Sequence, residues 1–172
     1  MAITPDTKDW TWVLERPCPE CGFDPDELTP QNVAGRLDAA LPRWDTALRR
    51  ADVRDRPNES TWSPLEYGCH VRDVFGLFRT RLGLILAEDG ARFADWDQDA
   101  TALEKDYAAS DPDSVRAELA EEGALARDAF GAVPQDAFAR RGLRSNGSEF
   151  TVVTLARYFL HDVEHHLHDV AG

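Results

Sequence analysis

The chain has 172 residues, with 19 basic and 32 acidic side chains and a formal net charge of −13; it has the length of one domain and can bury a core large enough to fold without disulfides. That charge excludes nucleic acid as the main partner, because phosphate binding needs a basic stripe, and it disfavours anionic membrane surfaces. The opening MAITPDTKDW has no basic stretch leading into an apolar run, and the chain lacks a run of about 18 apolar residues, so a cytoplasmic protein with neither a membrane nor a nucleic-acid partner is expected.

Residues 1–28 are rich in Trp, Pro and acidic side chains without helical periodicity. They are expected to form an irregular N-terminal arm across the domain, because Trp10, Trp12, Val13, Leu14 and Phe23 are costly to expose; any that stay exposed would suit a homodimer contact. The arm holds a C-x-x-C pair, Cys18 and Cys21. With Cys69 the only other cysteine, a zinc site of four cysteines is impossible within one chain, and the strand-then-helix context of a thioredoxin-like motif is missing. The pair reads first as local structure, with a half-site or a thiol switch as alternatives.

From residue 29 to 172 the pattern is helical. TPQNVAGRLDAALPRWDTALRRAD offers Thr29 as cap, Pro30 at the first position and Val33, Leu37, Ala40, Leu41, Trp44 and Leu48 at helical spacing, with Pro42 a place to kink. In SPLEYGCHVRDVFGLFRTRLGLILAEDG, Ser63, Pro64 and Glu66 form a capping-box start and Gly90 suits the end. A short helix is expected at about residues 102–108, and a longer one from Asp111 or Pro112 through Phe130. RRGLRSNGSEF reads as a loop with an N-G turn, and a last helix runs from about Thr151 to Val170. Strand-like alternation is nearly absent, so the expected class is all-α, a bundle of four long helices in whose core metal sites are commonly assembled.

The last helix carries His161, His165, His166 and His168. At about 100° per residue, and with His161 at zero, His165 falls at about 40°, His168 at about −20° and His166 at about 140°. His161 and His165 thus share a face and can hold one divalent ion; the alternative is a solvated edge, since the heaviest apolar arc lies opposite. His166 reads as packed among Leu155 and Phe159, and His168 could replace a water. His70 projects from the apolar face of its helix, either as a satisfied core residue or as a third imidazole. Three imidazoles and an exchangeable position suit zinc first, while nickel or iron would accept the same ligands. Asp73 and Glu164 lie near the ligand axes and could orient the imidazoles. Tyr158 and Tyr67 would line a cleft, and Arg81 and Arg157 would meet an anionic substrate or pair with carboxylates. Cys69 reads as a packed core thiol.

STWSPLEYGCHVRDV and LARYFLHDVEHHLHDV together resemble the second and last helices of the DinB/YfiT-like four-helix bundles, over roughly residues 30–170. The opening WTWVLERPCPECGFD resembles that of an actinobacterial branch. The resemblance implies an up-up-down-down bundle in which His70, His161 and His165 hold a divalent metal. It further implies a metal-dependent enzyme, since relatives include mycothiol-dependent maleylpyruvate isomerase-like proteins and bacillithiol S-transferases. The partners implied are a small-molecule thiol of the mycothiol type and an electrophile, joined by S-transfer. The isomerase branch carries a carboxylate where His161 stands, which aligns an all-histidine set with the transferases. The rival readings are a non-catalytic metal- or ligand-binding stress protein and a metal-dependent hydrolase on the same site.

Overall fold

The computed structural model describes residues 9–172; the first eight residues of the expected arm lie outside the described residues. Five helices follow in order: α1 (Val33–Leu48), α2 (Pro64–Ala87), α3 (Gln98–Glu104), α4 (Pro112–Gly131) and α5 (Val152–Asp169). Three short strands are inserted, β1 (Ala91–Phe93), β2 (Arg141–Arg144) and β3 (Glu149–Thr151).

The helix starts follow local chemistry. Ser63 and Glu66 form the reciprocal capping box, with Pro64 in the first turn. Arg56 Nε donates to Glu66 at 2.8 Å, which leaves that carboxylate fully engaged. Asp111 caps α4 through the Ser114 amide, and Thr151 and Thr154 cap α5 reciprocally. α1 starts later than its sequence suggests. The Thr29 amide donates to Asn32 Oδ1 and the Asn32 amide to the Thr29 carbonyl, so a turn occupies residues 29–32. Pro42 is accommodated inside α1.

α1, α2, α4 and α5 surround one apolar core. α4 lies against α1 and α2, and α5 against the same two helices. The contact is largely aromatic: Phe159 of α5 stacks on Phe130 of α4 at 4.8 Å and meets Phe75 and Phe78 of α2 at 5.9 and 5.4 Å, geometries that add to the burial of their area.

Two expectations are corrected. RRGLRSNGSEF is an antiparallel hairpin, β2 on β3, with β1 added in parallel to give the order β1-β2-β3. Its turn uses Gly147 at φ +96°, while the Asn146 side-chain oxygen Oδ1 accepts from the Ser148 amide at 3.1 Å. Strands of three or four residues are too short for alternation to stand out. The sheet lies close on α2: a Cβ at Gly142 would fall 2.6 Å from Ile85 and 2.5 Å from Phe93. The short helix sits earlier than expected, at α3, because Asp97 caps it through the Ala100 amide; after it Asp106 turns left-handed at φ 47° before a turn at Tyr107–Ala109. Among the described residues no helix is long and apolar enough to cross a membrane.

Candidate metal centre

α5 carries two polar strips one residue apart. Asp162 and His166 face α2, while His161 and His165 face the arm. In the first strip His70 of α2, fully buried, places Nε2 3.0 Å from Asp162 Oδ1, and His166 Nε2 lies 3.5 Å from the same oxygen. One donor atom from each of the three residues lies within 4.8 Å of the others. His166 Nδ1 donates to Asp169 Oδ2 at 2.8 Å, which turns Nε2 toward Asp162 and fixes the ring.

Aromatic rings enclose this group. Trp96 stacks on His70 at 5.3 Å, Trp62 lies 5.5 Å from it, and Tyr67 covers His166 at 4.7 Å. Burial alone would raise the Asp162 carboxyl; the adjacent His70, by charge and by hydrogen bond, together with His166 and His161, outweighs it and holds the pKa at about 2. The carboxylate is therefore ionised at neutral pH. Two imidazoles and a carboxylate are a donor set for a divalent cation. The geometry fits one: with a cation in place of the hydrogen bond and the His70 proton on Nδ1, which is buried without a partner among the described residues, the Nε2 lone pair and the carboxylate converge on the same point.

The second strip meets the arm. Cys18, Cys21, His161 and His165 each offer a donor atom, all within 4.8 Å of one another, and Cys18 Sγ lies 3.7 Å from His165 Nδ1. Trp10 covers both imidazoles at 5.7 and 5.1 Å, and Phe23 meets His161 edge-on at 5.4 Å. Burial, aided by His165, pushes the His161 pKa down to about 4, so its ring is neutral at pH 7. Burial likewise pushes the Cys21 thiol up to about 12, unlike the depressed thiol of a redox-active C-x-x-C pair.

Between the strips opens a cleft of about 310 Å³, bordered by Trp10, Trp62, Tyr67, Tyr158 and the α5 side chains 161, 162, 165, 166 and 169. Glu20 and Asp99 add acidic groups to its rim. Among the described residues its lining includes no lysine or arginine, so the walls suit neutral, aromatic or cationic groups.

The structure thus divides the three imidazoles expected to act together. His161 and His165 gather with the two cysteines, and His70 gathers with Asp162 and His166. The reason is a rotation of about 100°, one residue on α5: the strip beside the apolar arc, rather than the one opposite, faces α2. Tyr158 and Tyr67 line the cleft. Four other residues have partners of their own, Arg157 among them with the Asp26 carboxylate at 3.8 Å. Asp73 accepts from Lys105 Nζ at 2.8 Å, Tyr107 Oη at 2.5 Å and Arg72 Nε at 3.0 Å. Glu164 accepts twice from Arg36, at 2.8 and 2.5 Å. Arg157 donates to the Leu28 carbonyl at 3.2 Å and so ties down the arm. Arg81 is buried, donates to the Ala94 carbonyl at 2.9 Å and lies over the Phe78 and Phe93 rings. His168 is exposed. Trp10 and Phe23 of the arm are turned onto the imidazoles.

A profile of the DinB superfamily matches residues 37–170. The chain belongs to that superfamily. Two solved structures share the fold of this DinB chain. YfiT from Bacillus subtilis, described as a probable metal-dependent hydrolase with an unusual four-helix bundle topology, aligns with a TM-score of 0.73 at 18% identity over 83% of each chain. A mycothiol-dependent maleylpyruvate isomerase aligns with a TM-score of 0.67 at 12% identity, over 86% of this chain and 63% of its own. The chain therefore spans less than two thirds of that isomerase. No curated protein sequence matches.

Proposed function

We propose that the chain is a metal-dependent enzyme whose divalent ion, zinc in the first instance, is held by His70, Asp162 and His166, and which brings a small thiol of the mycothiol type to an electrophile. The observation that carries the reading is the convergence of His70 Nε2 and His166 Nε2 on one Asp162 oxygen, at 3.0 and 3.5 Å, beside a cleft of substrate size. A carboxylate among the donors is the feature the sequence reading assigns to the isomerase branch. The up-up-down-down helix order and a cytoplasmic location belong to the same proposal.

When bound there, a divalent ion supplies Lewis acidity, which promotes loss of a proton from a thiol or a water. The protein's own groups do the rest. Asp169 holds the His166 Nδ1 proton and keeps the ring in place. Trp62 and Trp96 shield His70 from water, which strengthens electrostatic interactions beside it. Tyr158, whose pKa burial pushes up, stays protonated and can donate a hydrogen bond into the cleft.

The test combines metal analysis with thiol-dependent consumption of an electrophile such as monochlorobimane. His70→Ala and Asp162→Asn should each lose metal and turnover; undiminished metal in both would sink the assignment. Loss in His70→Ala alone, with Asp162→Asn and His166→Ala unaffected, would return the ion to His70, His161 and His165. Turnover that needs metal but no thiol would identify the hydrolase, the reading that the likeness to YfiT favours.

A further inference from the structure

The four donors under the arm have no part in the proposed reaction. Cys18 and Cys21 come from the arm and His161 and His165 from the last helix, so the group joins segments about 140 residues apart in sequence. Cys18, His161 and His165 are 1%, 5% and 6% exposed. His161 Nε2 is buried and has no hydrogen-bond partner among the described residues, an arrangement that costs energy unless something fills the position. His165 presents Nδ1 to Cys18 at 3.7 Å, while its Nε2 lies 3.6 Å from Glu20 and 3.8 Å from Asp169. Those carboxylates favour the proton on Nε2 and leave Nδ1 as the donor. Gly22, at φ +76°, turns the chain back so that its amide bonds the Cys18 carbonyl at 2.9 Å and the Cys18 amide bonds Phe23 at 2.8 Å.

We infer that Cys18, Cys21, His161 and His165 form a second, structural zinc site that clamps the arm to α5, separate from the His70, Asp162 and His166 group. Two thiolates offset the charge of a divalent ion, so the complete site is neutral and suits a buried position. Four protein donors leave no exchangeable position, which is the character of a structural site. The clamp also holds Trp10 and Glu20 where they border the cleft.

Protein purified without chelator should carry two equivalents of zinc. The double variant Cys18→Ser/Cys21→Ser should carry one, and His70→Ala should carry the other one. Cobalt-exchanged wild type and His70→Ala should both show a thiolate-to-cobalt charge-transfer band in the near ultraviolet, and the double variant should lack it. Because the double variant could fail to fold, alkylation of the wild-type thiols is followed in parallel with a chromogenic chelator; release of one equivalent is expected. No release, no cobalt–thiolate band, or a fresh mass showing Cys18 and Cys21 joined as a disulfide would overturn the inference. Failure of the reaction proposal shows instead as full metal content in His70→Ala and Asp162→Asn, which leaves the cobalt–thiolate band untouched.

Discussion

Two donor groups lie one residue apart on α5, His161 with His165 and Asp162 with His166, and they meet different neighbours. The first is shut under the arm by Trp10 and Phe23 and takes its remaining donors from the C-x-x-C turn. Among the described residues the second gathers three donors between aromatic walls, and both groups border the cleft. A structural ion needs full coordination and a catalytic one needs a vacant position. A helix can serve both needs with i, i+4 pairs offset by about 100°: the side chains that the neighbouring element brings would decide the role.

The comparison breaks first, and most visibly, at the closed group. An ion that binds only the folded state at about 1,000 times its Kd adds about 4 kcal/mol, which for a chain of this length corresponds to roughly 8–16 °C in Tm. Thermal melts of Cys18→Ser/Cys21→Ser against wild type should show a drop of that order, together with faster proteolysis within residues 9–28. A melt unchanged by the substitution would remove the distinction between the groups.

At the open group the expected effect is smaller and lies in affinity. Asp169→Asn weakens the anchor on His166 Nδ1 and should reduce zinc affinity and turnover there by about 10–100-fold. Competition with a chelator on the Cys18→Ser/Cys21→Ser background reads the open group alone. An unaltered affinity would show that Asp169 does not position His166.

Acid should separate the ions from the scaffold. Metal leaves first, because imidazole and thiol donors must be deprotonated to bind. Burial alone would raise Asp73, but the hydrogen bonds from Lys105 and Tyr107 and the charge of Arg72 hold it below its ordinary 3.8. Glu66, opposed likewise by burial, is held below its ordinary 4.5 by Arg56 and Ser63. Both pKa values are depressed on folding, so their stabilisation is complete above the unfolded values and is lost only as pH falls below them. Circular dichroism and metal content followed together should give two transitions; a single coincident one would mean that the bundle itself depends on its ions.

The smallest effect is expected at Glu164. Its pair with Arg36 is partly exposed, so Glu164→Gln should cost at most about 1 kcal/mol and leave the metal content of both groups intact. Metal loss would restore Glu164 to the role of orienting an imidazole.

Much of this was legible in the sequence. Ser63, Pro64 and Glu66 announce α2, and Asp111 and Thr151 stand where α4 and α5 begin, because caps act over three or four residues. The angles on α5 were also legible, including the place of His166 beside Leu155 and Phe159. What the wheel could not supply was the partner of each face. His166 looked like a packed ring because His70 comes to it from another helix, although Asp162 stands one turn before it on the same face. The cysteine pair read first as local structure because the histidines it meets, His161 and His165, lie at the far end of the chain. The hairpin escaped notice because its strands are only three and four residues long.

The placing of the tryptophans gives the chain its own optical readout. Trp10 lies against the imidazoles of the closed group, whereas Trp62 and Trp96 flank His70 of the open one. Trp44 is fully buried and belongs to neither. A quenching ion such as copper, loaded into one group at a time, would dim a different set of indoles in each case. Single-tryptophan variants would turn emission intensity into a separate gauge of occupancy for each centre, with Trp44 as the internal reference.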